Sequence, residues 1–361
     1  MTKLLGVCTA AAVLVFSLGS APIHAARRVP TLAVTMTNDP VSNQILVYDA
    51  NPGVLLQTLS TKGKGGVGGN ANGVKAFGGE LVAAVNNGSA TVAIYRRTGS
   101  GLKFDRLVQT SSAPVSIDFG NDHMYVAGAT TIDSFEMNRH SVIWKDGTAE
   151  LSLAEGGAPP DGSTAQVGVV DERTVLVTLK SDPTPGTVDV VKLRNGAVTG
   201  AAPTAVSAPA GTLTPFGFSV YPDGTAVITL AHSNQEGLFR DGAFVSVLNA
   251  GQSAPCWTTR AGKYVFSTNT ASRTISRLVG TGSHIFVDSL VAATIATGGP
   301  TDMDNDDSVL GVIDHGAGQS HLSLYALNQF GELSATLSPI NLGTSNANGF
   351  ALMSPTGDDE D

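Results

Sequence analysis

The feature that most constrains this chain is a unit it repeats seven times. A run of β-branched and apolar residues ends in a turn, and a second such run follows. The first copy reads Thr31-Leu-Ala-Val-Thr-Met-Thr37 and then Gln44-Ile-Leu-Val-Tyr-Asp49. The next three pair Leu81–Asn86 with Thr91–Tyr95, His123–Gly128 with Thr131–Phe135, and Thr174–Leu179 with Thr187–Val191. The last three pair Ala226–Ala231 with Ala243–Val247, Tyr264–Thr268 with Thr274–Arg277, and Val309–Ile313 with His321–Tyr325. A period of roughly 40–50 residues belongs to repeating β-units, because one such unit cannot bury both its faces alone. Radial packing of several antiparallel sheets buries those faces and leaves only short edges. Seven copies therefore predict an all-β, seven-bladed propeller with four-stranded antiparallel blades. Asn348-Gly-Phe-Ala-Leu-Met353 is a strand without a partner in its own neighbourhood, placed to close the ring against Thr31–Thr37.

No stretch keeps an apolar i, i+3, i+4 pattern for three turns, whereas period-two and short continuous apolar runs recur throughout. Asn72-Gly73, Asp146-Gly147, Asn195-Gly196, Asp223-Gly224, Asp241-Gly242 and Asn348-Gly349 punctuate them as turn signals, since such pairs tolerate the positive φ of tight hairpins. The 42 glycines and a charged fraction of only 14% suit many short strands joined tightly, and argue against disorder.

The ends read differently from the repeat. Lys3 followed by the apolar stretch Leu4–Leu18 and the small residues around Ala25 describes a signal segment, 1–25, cleaved near Ala25. The apolar run falls short of the roughly 20 residues that a membrane span needs. The expectation is a secreted protein with one propeller domain at 26–354 and an acidic tail at 355–361. Cys8 leaves with the signal segment, so Cys256 has no intramolecular partner and the fold must rest on its core. A net charge of −9, without a Lys/Arg cluster, excludes a backbone-binding nucleic-acid or anionic-membrane protein. Asn87-Gly88-Ser89 is an N-glycosylation sequon, with Asn87 as the acceptor.

The wording inside the repeats carries a resemblance. Met36-Thr-Asn-Asp-Pro40 with Asn43–Asp49, Ala84–Val92, Ala113–Ile117, Ala165–Val167, Pro215-Phe-Gly-Phe218, Cys256-Trp257, Asn269–Ser276 and Gly299–Asp302 follow one another in the order of the seven-bladed propeller lactonases. That family includes bacterial 6-phosphogluconolactonase and fungal 3-carboxy-cis,cis-muconate cyclase, and the chain resembles its secreted, divergent, 3-carboxymuconate cyclase-like members across 31–353. The resemblance implies a lactonase or cyclase acting without a cofactor on a small anionic lactone or dicarboxylate, as a monomer. Active members carry a Pro-His segment at a blade start. Here that stretch reads Gly162-Ser-Thr-Ala-Gln-Val-Gly168, without a histidine, which calls the activity into question. The alternative is a non-catalytic extracellular propeller that binds a carbohydrate or protein partner.

Lactone opening needs an activated water and a stabilised oxyanion, and an anionic substrate needs cations to meet it. Arg240, Arg260, Arg273 and Arg277 are the candidate substrate-binding cations, all in the fifth and sixth repeats. His232, with Glu236 close by, and His315 follow strand runs in loops where ligand-facing residues sit, and are the candidate catalytic groups. His123 and His321 alternate within strands and read as structural.

Two further motifs fall away. Asp302-Met-Asp-Asn-Asp-Asp307 opens like a calcium loop but lacks the sixth-place glycine and the twelfth-place glutamate, so it reads as a solvated inter-blade turn and no metal site is assigned. Gly63-Lys-Gly-Gly-Val-Gly-Gly69 mimics a phosphate cradle without leading into a helix, and reads as a flexible loop over one face.

Overall fold

The computed structural model describes residues 29–138, 141–152, 163–180 and 186–355. The expected signal segment and acidic tail lie outside the described residues, apart from Pro355 at the tail's start. The described chain forms seven antiparallel sheets arranged as the blades of one propeller. The innermost strands are Val74–Phe77, Pro114–Gly120, Thr164–Asp171, Pro215–Val220, Pro255–Ala261, Gly299–Asn305 and Asn348–Met353, and each packs against the next around the ring. Asn348–Met353 is the innermost strand of the first blade. It pairs antiparallel with Leu32–Met36, which continues outward to Gln44–Asp49 and Val54–Ser60. The ring is thus closed by the C-terminal strand, as the repeat pattern predicts.

The two runs of each repeat are mostly the second and third strands of a blade. They show most clearly because both their faces are buried against neighbouring blades, as in Leu81–Asn86 and Ala226–Leu230, where every residue is buried. The fifth blade differs from the reading above. Its third strand is Gln235–Arg240, and Ala243–Val247 belongs to the outermost strand, Ala243–Leu248. Glu236 and Arg240 therefore lie in a strand rather than in the loop beyond His232.

Four of the turn signals fall into two kinds. Asn195-Gly196 and Asp241-Gly242 are two-residue hairpin turns, both residues having positive φ and the flanking strands pairing as Arg194↔Ala197 and Arg240↔Ala243. Asp146-Gly147 and Asn348-Gly349 instead sit at irregularities within strands, where an extra residue bends the ladder.

Adjacent innermost strands splay apart, so side chains satisfy the backbone groups between them. The Gln166 carboxamide accepts from Phe218 N–H at 2.8 Å and donates to Phe218 C=O at 2.7 Å, linking the fourth blade to the fifth. Asp118 accepts from Val169 N–H at 2.8 Å, and Asp304 from Leu352 N–H at 3.0 Å. This overturns the turn assigned to Asp302–Asp307. Gly299–Asn305 is an innermost strand, and Asp302 and Asp304 share the face turned toward the first two blades. Strand alternation places Asn305 on the other face, where it donates to Thr259 and the Arg260 carbonyl.

Candidate active site at the channel mouth

The loops that join one blade to the next, and those between second and third strands, gather at one end of the ring. There the glycine-rich segment crosses the channel. Val67, Asn70 and Ala71 are buried. Ala71 N–H donates to the Ala165 carbonyl of the fourth blade at 3.0 Å, and the Asn70 amide donates to Val115 C=O of the third at 2.7 Å. Trp257 of the sixth blade donates its indole N–H to the Asn70 carbonyl at 2.8 Å, and the Lys180 ammonium donates to the Gly69 carbonyl. From the first blade, Asn38 donates to the Val67 carbonyl at 2.7 Å and accepts from the N–H groups of Gly66 and Val67. The segment is thus tied to four blades. Its glycines are required by this course: a Cβ on Gly65 would lie 2.4 Å from the Asn38 carbonyl carbon, and Gly66 holds φ +102°.

Beside this crossing lies a cavity of about 570 Å³, lined by Asn38, Pro40, residues 66–69, Trp257, Thr301, His315, Asn346 and Asn348. His315 ends the second strand of the seventh blade, Val309–Gly316, and is exposed to it. Its Nε2–H donates to the Ala347 carbonyl at 3.0 Å, which leaves Nδ1 as the proton-accepting nitrogen. Trp257 is held edge-on by Phe216, with ring centroids 5.2 Å apart. The Oδ1 atom of Asn348 is buried without a hydrogen-bond partner. Among the described lining residues there is no lysine or arginine.

Lys180 stands at the edge of this region, 5.4 Å from the Phe216 ring centroid. Burial lowers its pKa to about 8, since desolvation disfavours the charged amine. The Cys256 thiol is pushed up to about 11 by the same cause and is not a nucleophile at neutral pH.

The remaining sequence candidates do not converge there. His232 is exposed in the short 3₁₀ turn Ala231–Ser233. Glu236 is fully buried in the next strand, neither carboxylate oxygen has a hydrogen-bond partner, and burial pushes its pKa up to about 8, eased only in part by the nearby Ser267 hydroxyl. The two are therefore not joined by a hydrogen bond.

Arg240 is half-buried beside the exposed Asp241 at 3.6 Å, and Arg273 is exposed in a loop with its backbone in the left-handed region. Arg277 bonds to Asp288 at 2.5 Å and lies 4.7 Å from the Tyr264 ring centroid on the outer part of the sixth blade. Arg260 alone of the four lines the channel. It lies beyond the crossing, its guanidinium donating to the carbonyls of Val220 and Gly262. Asn87 sits in the turn Asn87–Ser89, and its amide donates to Pro114 C=O at 3.1 Å. His123 is buried and bonded to Asp146 and to the Asn121 carbonyl.

The sequence reading missed Lys180 and Lys75 because each is a single lysine at a strand end or within a short strand. In the sequence Trp257 stands out only within Cys256-Trp257, one of the blocks that carry the family resemblance. The contact with the Asn70 carbonyl that gives it a place at the mouth spans 187 residues.

No protein-family model and no curated protein matches this chain. Among solved structures it is similar to the periplasmic gluconolactonase of Pseudomonas aeruginosa, with 14% identity, a TM-score of 0.63, and 90% of this chain and 99% of that one covered. A candidate 6-phosphogluconolactonase of Bacteroides fragilis gives 11% identity, a TM-score of 0.62 and coverage of 90% and 98%. The virginiamycin B lyase of Staphylococcus aureus is more distant, at 14% identity, a TM-score of 0.52 and coverage of 79% and 92%. At these identities the likeness shows the architecture: the chain is a seven-bladed propeller that shares its fold with these proteins.

Proposed function

We propose that this propeller opens a small, neutral, hydroxyl-rich lactone at the channel mouth. The observation that carries the reading is His315, which lines the cavity with its Nε2–H fixed on the Ala347 carbonyl, so that Nδ1 is the nitrogen left to act as a base. Nδ1 would take a proton from water, the resulting hydroxide would attack the lactone carbonyl carbon, and the ring C–O bond would break. The imidazolium would then return its proton to the departing alkoxide, giving a hydroxy acid. The carboxamides of Asn346 and Asn348 are the neutral donors available to the oxyanion. A neutral ring suits a described lining that contains carboxamides, a threonine and an indole but no cation. The anionic substrate implied by the family resemblance would have to find its cation in Lys180, which is already bonded to Gly69. Secretion through cleavage near Ala25 belongs to the same proposal, and N-terminal sequencing of the exported protein tests it.

The test is a pH-stat assay on glucono-δ-lactone. The wild type is expected to turn over, and His315→Ala to lose about 100-fold or more in kcat, the scale of a lost general base. Absence of turnover in the wild type, or an unchanged rate in the variant, would sink the catalytic reading. A second reading, non-catalytic binding of a carbohydrate or protein partner, is favoured by the chain's own segment crossing the channel. It predicts saturable binding of the saccharide or partner without turnover.

A further inference from the structure

Beyond the crossing, the channel holds a second cavity of about 260 Å³ whose wall is mostly polar. It is lined by Lys75, Asp118, Ser219, Thr258, Arg260 and Asp304, among others. The carboxylates here exceed what the fold needs. Asp118 and Asp304 each use Oδ2 to accept a neighbouring strand's N–H, a task that the neutral Gln166 performs for Phe218 in the same ring. Each carboxylate also accepts from the N–H of the residue that follows it, Phe119 and Asn305, and both side chains remain partly open to the cavity. Lys75 lies on the innermost strand of the second blade, Val74–Phe77, and is likewise partly accessible. Its ammonium makes no direct hydrogen bond or ion pair with the described residues. Asp304, Asp118 and Asp302 act on it only at longer range, against the desolvation that would otherwise discharge it.

Burying charges without direct partners is costly, and such groups concentrate where a ligand completes them. We propose that this inner cavity binds a polyhydroxylated small molecule of monosaccharide size, its hydroxyls donating to Asp118 Oδ1 and Asp304 Oδ1 and accepting from Lys75. A divalent cation fits poorly, because the Lys75 ammonium occupies the same wall. A bare inorganic anion fits poorly as well, because carboxylates flank that ammonium. A neutral molecule with both donors and acceptors matches each group in turn. This site is separate from the mouth cavity, and its occupancy does not depend on His315.

The experiment is calorimetric titration of the full folded protein with sorbitol, gluconate and calcium chloride, each up to about 100 mM, which detects dissociation constants down the weak millimolar range. Binding of either polyol is expected, weakened at least tenfold by Lys75→Met and by Asp304→Asn, and unaffected by His315→Ala. Asp304→Asn keeps an acceptor for Leu352 N–H and so guards against loss of the fold. Sorbitol binding would assign a neutral polyol, and gluconate binding alone a hydroxy acid whose carboxylate meets Lys75. The proposal is overturned if neither binds, if calcium alone binds, or if His315→Ala rather than Lys75→Met abolishes binding.

Discussion

Replacing Glu236 by glutamine should make the protein more stable at neutral pH, and the gain should vanish in acid. The side chain is fully buried in the strand Gln235–Arg240, and its two oxygens have no hydrogen-bond partner. Burial raises its pKa from the ordinary 4.5 to about 8. The folded protein therefore holds a proton that the unfolded chain has released. The stability tied to that proton is present below pH 4.5 and is lost as pH rises toward 8. Each pH unit in that interval costs about 1.4 kcal/mol, so at pH 7 the folded state has given up about 3 kcal/mol. Glutamine has nearly the same shape, cannot ionise and can still approach the Ser267 hydroxyl. Urea unfolding of both proteins at pH 5, 7 and 8 measures the difference. The variant is expected to gain about 3 kcal/mol at pH 7 and more at pH 8, with less than about 1 kcal/mol separating the two at pH 5. The buried Asp302 is also raised to about 8 by burial and imposes a slope of the same sign, but it is common to both proteins and cancels in the difference. A difference that stays flat from pH 5 to pH 8, or a variant less stable at pH 7, would refute the reasoning.

Other perturbations follow from the same contacts. Truncation before Asn348 removes the innermost strand of the first blade, and the product should show no cooperative thermal transition by circular dichroism. Gln166→Leu leaves the buried N–H and C=O of Phe218 unpaired, and should cost about 2–4 kcal/mol in chemical denaturation. Gly65→Val drives a side chain into the Asn38 backbone, so the crossing segment should detach and residues 61–73 become a site of limited proteolysis that wild type resists. Arg277→Ala removes an ion pair with Asp288, a cation–π contact with Tyr264 and donors to the carbonyls of Phe330 and Gly331; a loss of about 1–2 kcal/mol in thermal or urea unfolding is expected.

Legibility in the sequence tracked how local each constraint is. Strands such as Leu81–Asn86 are buried on both faces and declare themselves as continuous apolar runs. The innermost strands carry the inter-blade polar links, so the acidic run Asp302–Asp307 reads as a solvated turn although its first four residues end a strand of the channel wall. Gln235–Arg240 lacks a continuous apolar run because Glu236 interrupts it, so its strand is not legible from the pattern alone. Among site candidates, His315 lines the mouth cavity and Arg260 the inner one, while Arg240, Arg273 and Arg277 lie apart from both.

The sequence by itself determined the number of blades, their antiparallel construction and the strand that closes the ring. Those depend on side-chain periodicity and on turns a few residues long, which any stretch of chain carries within itself. The tertiary structure decided where charge and open space meet. Lys75, Asp118 and Asp304 come from the second, third and seventh blades, and Asn38, Trp257 and His315 from the first, sixth and seventh. Closure of a ring brings such residues together at separations of tens to hundreds of positions, and no local pattern encodes which of them will share a cavity.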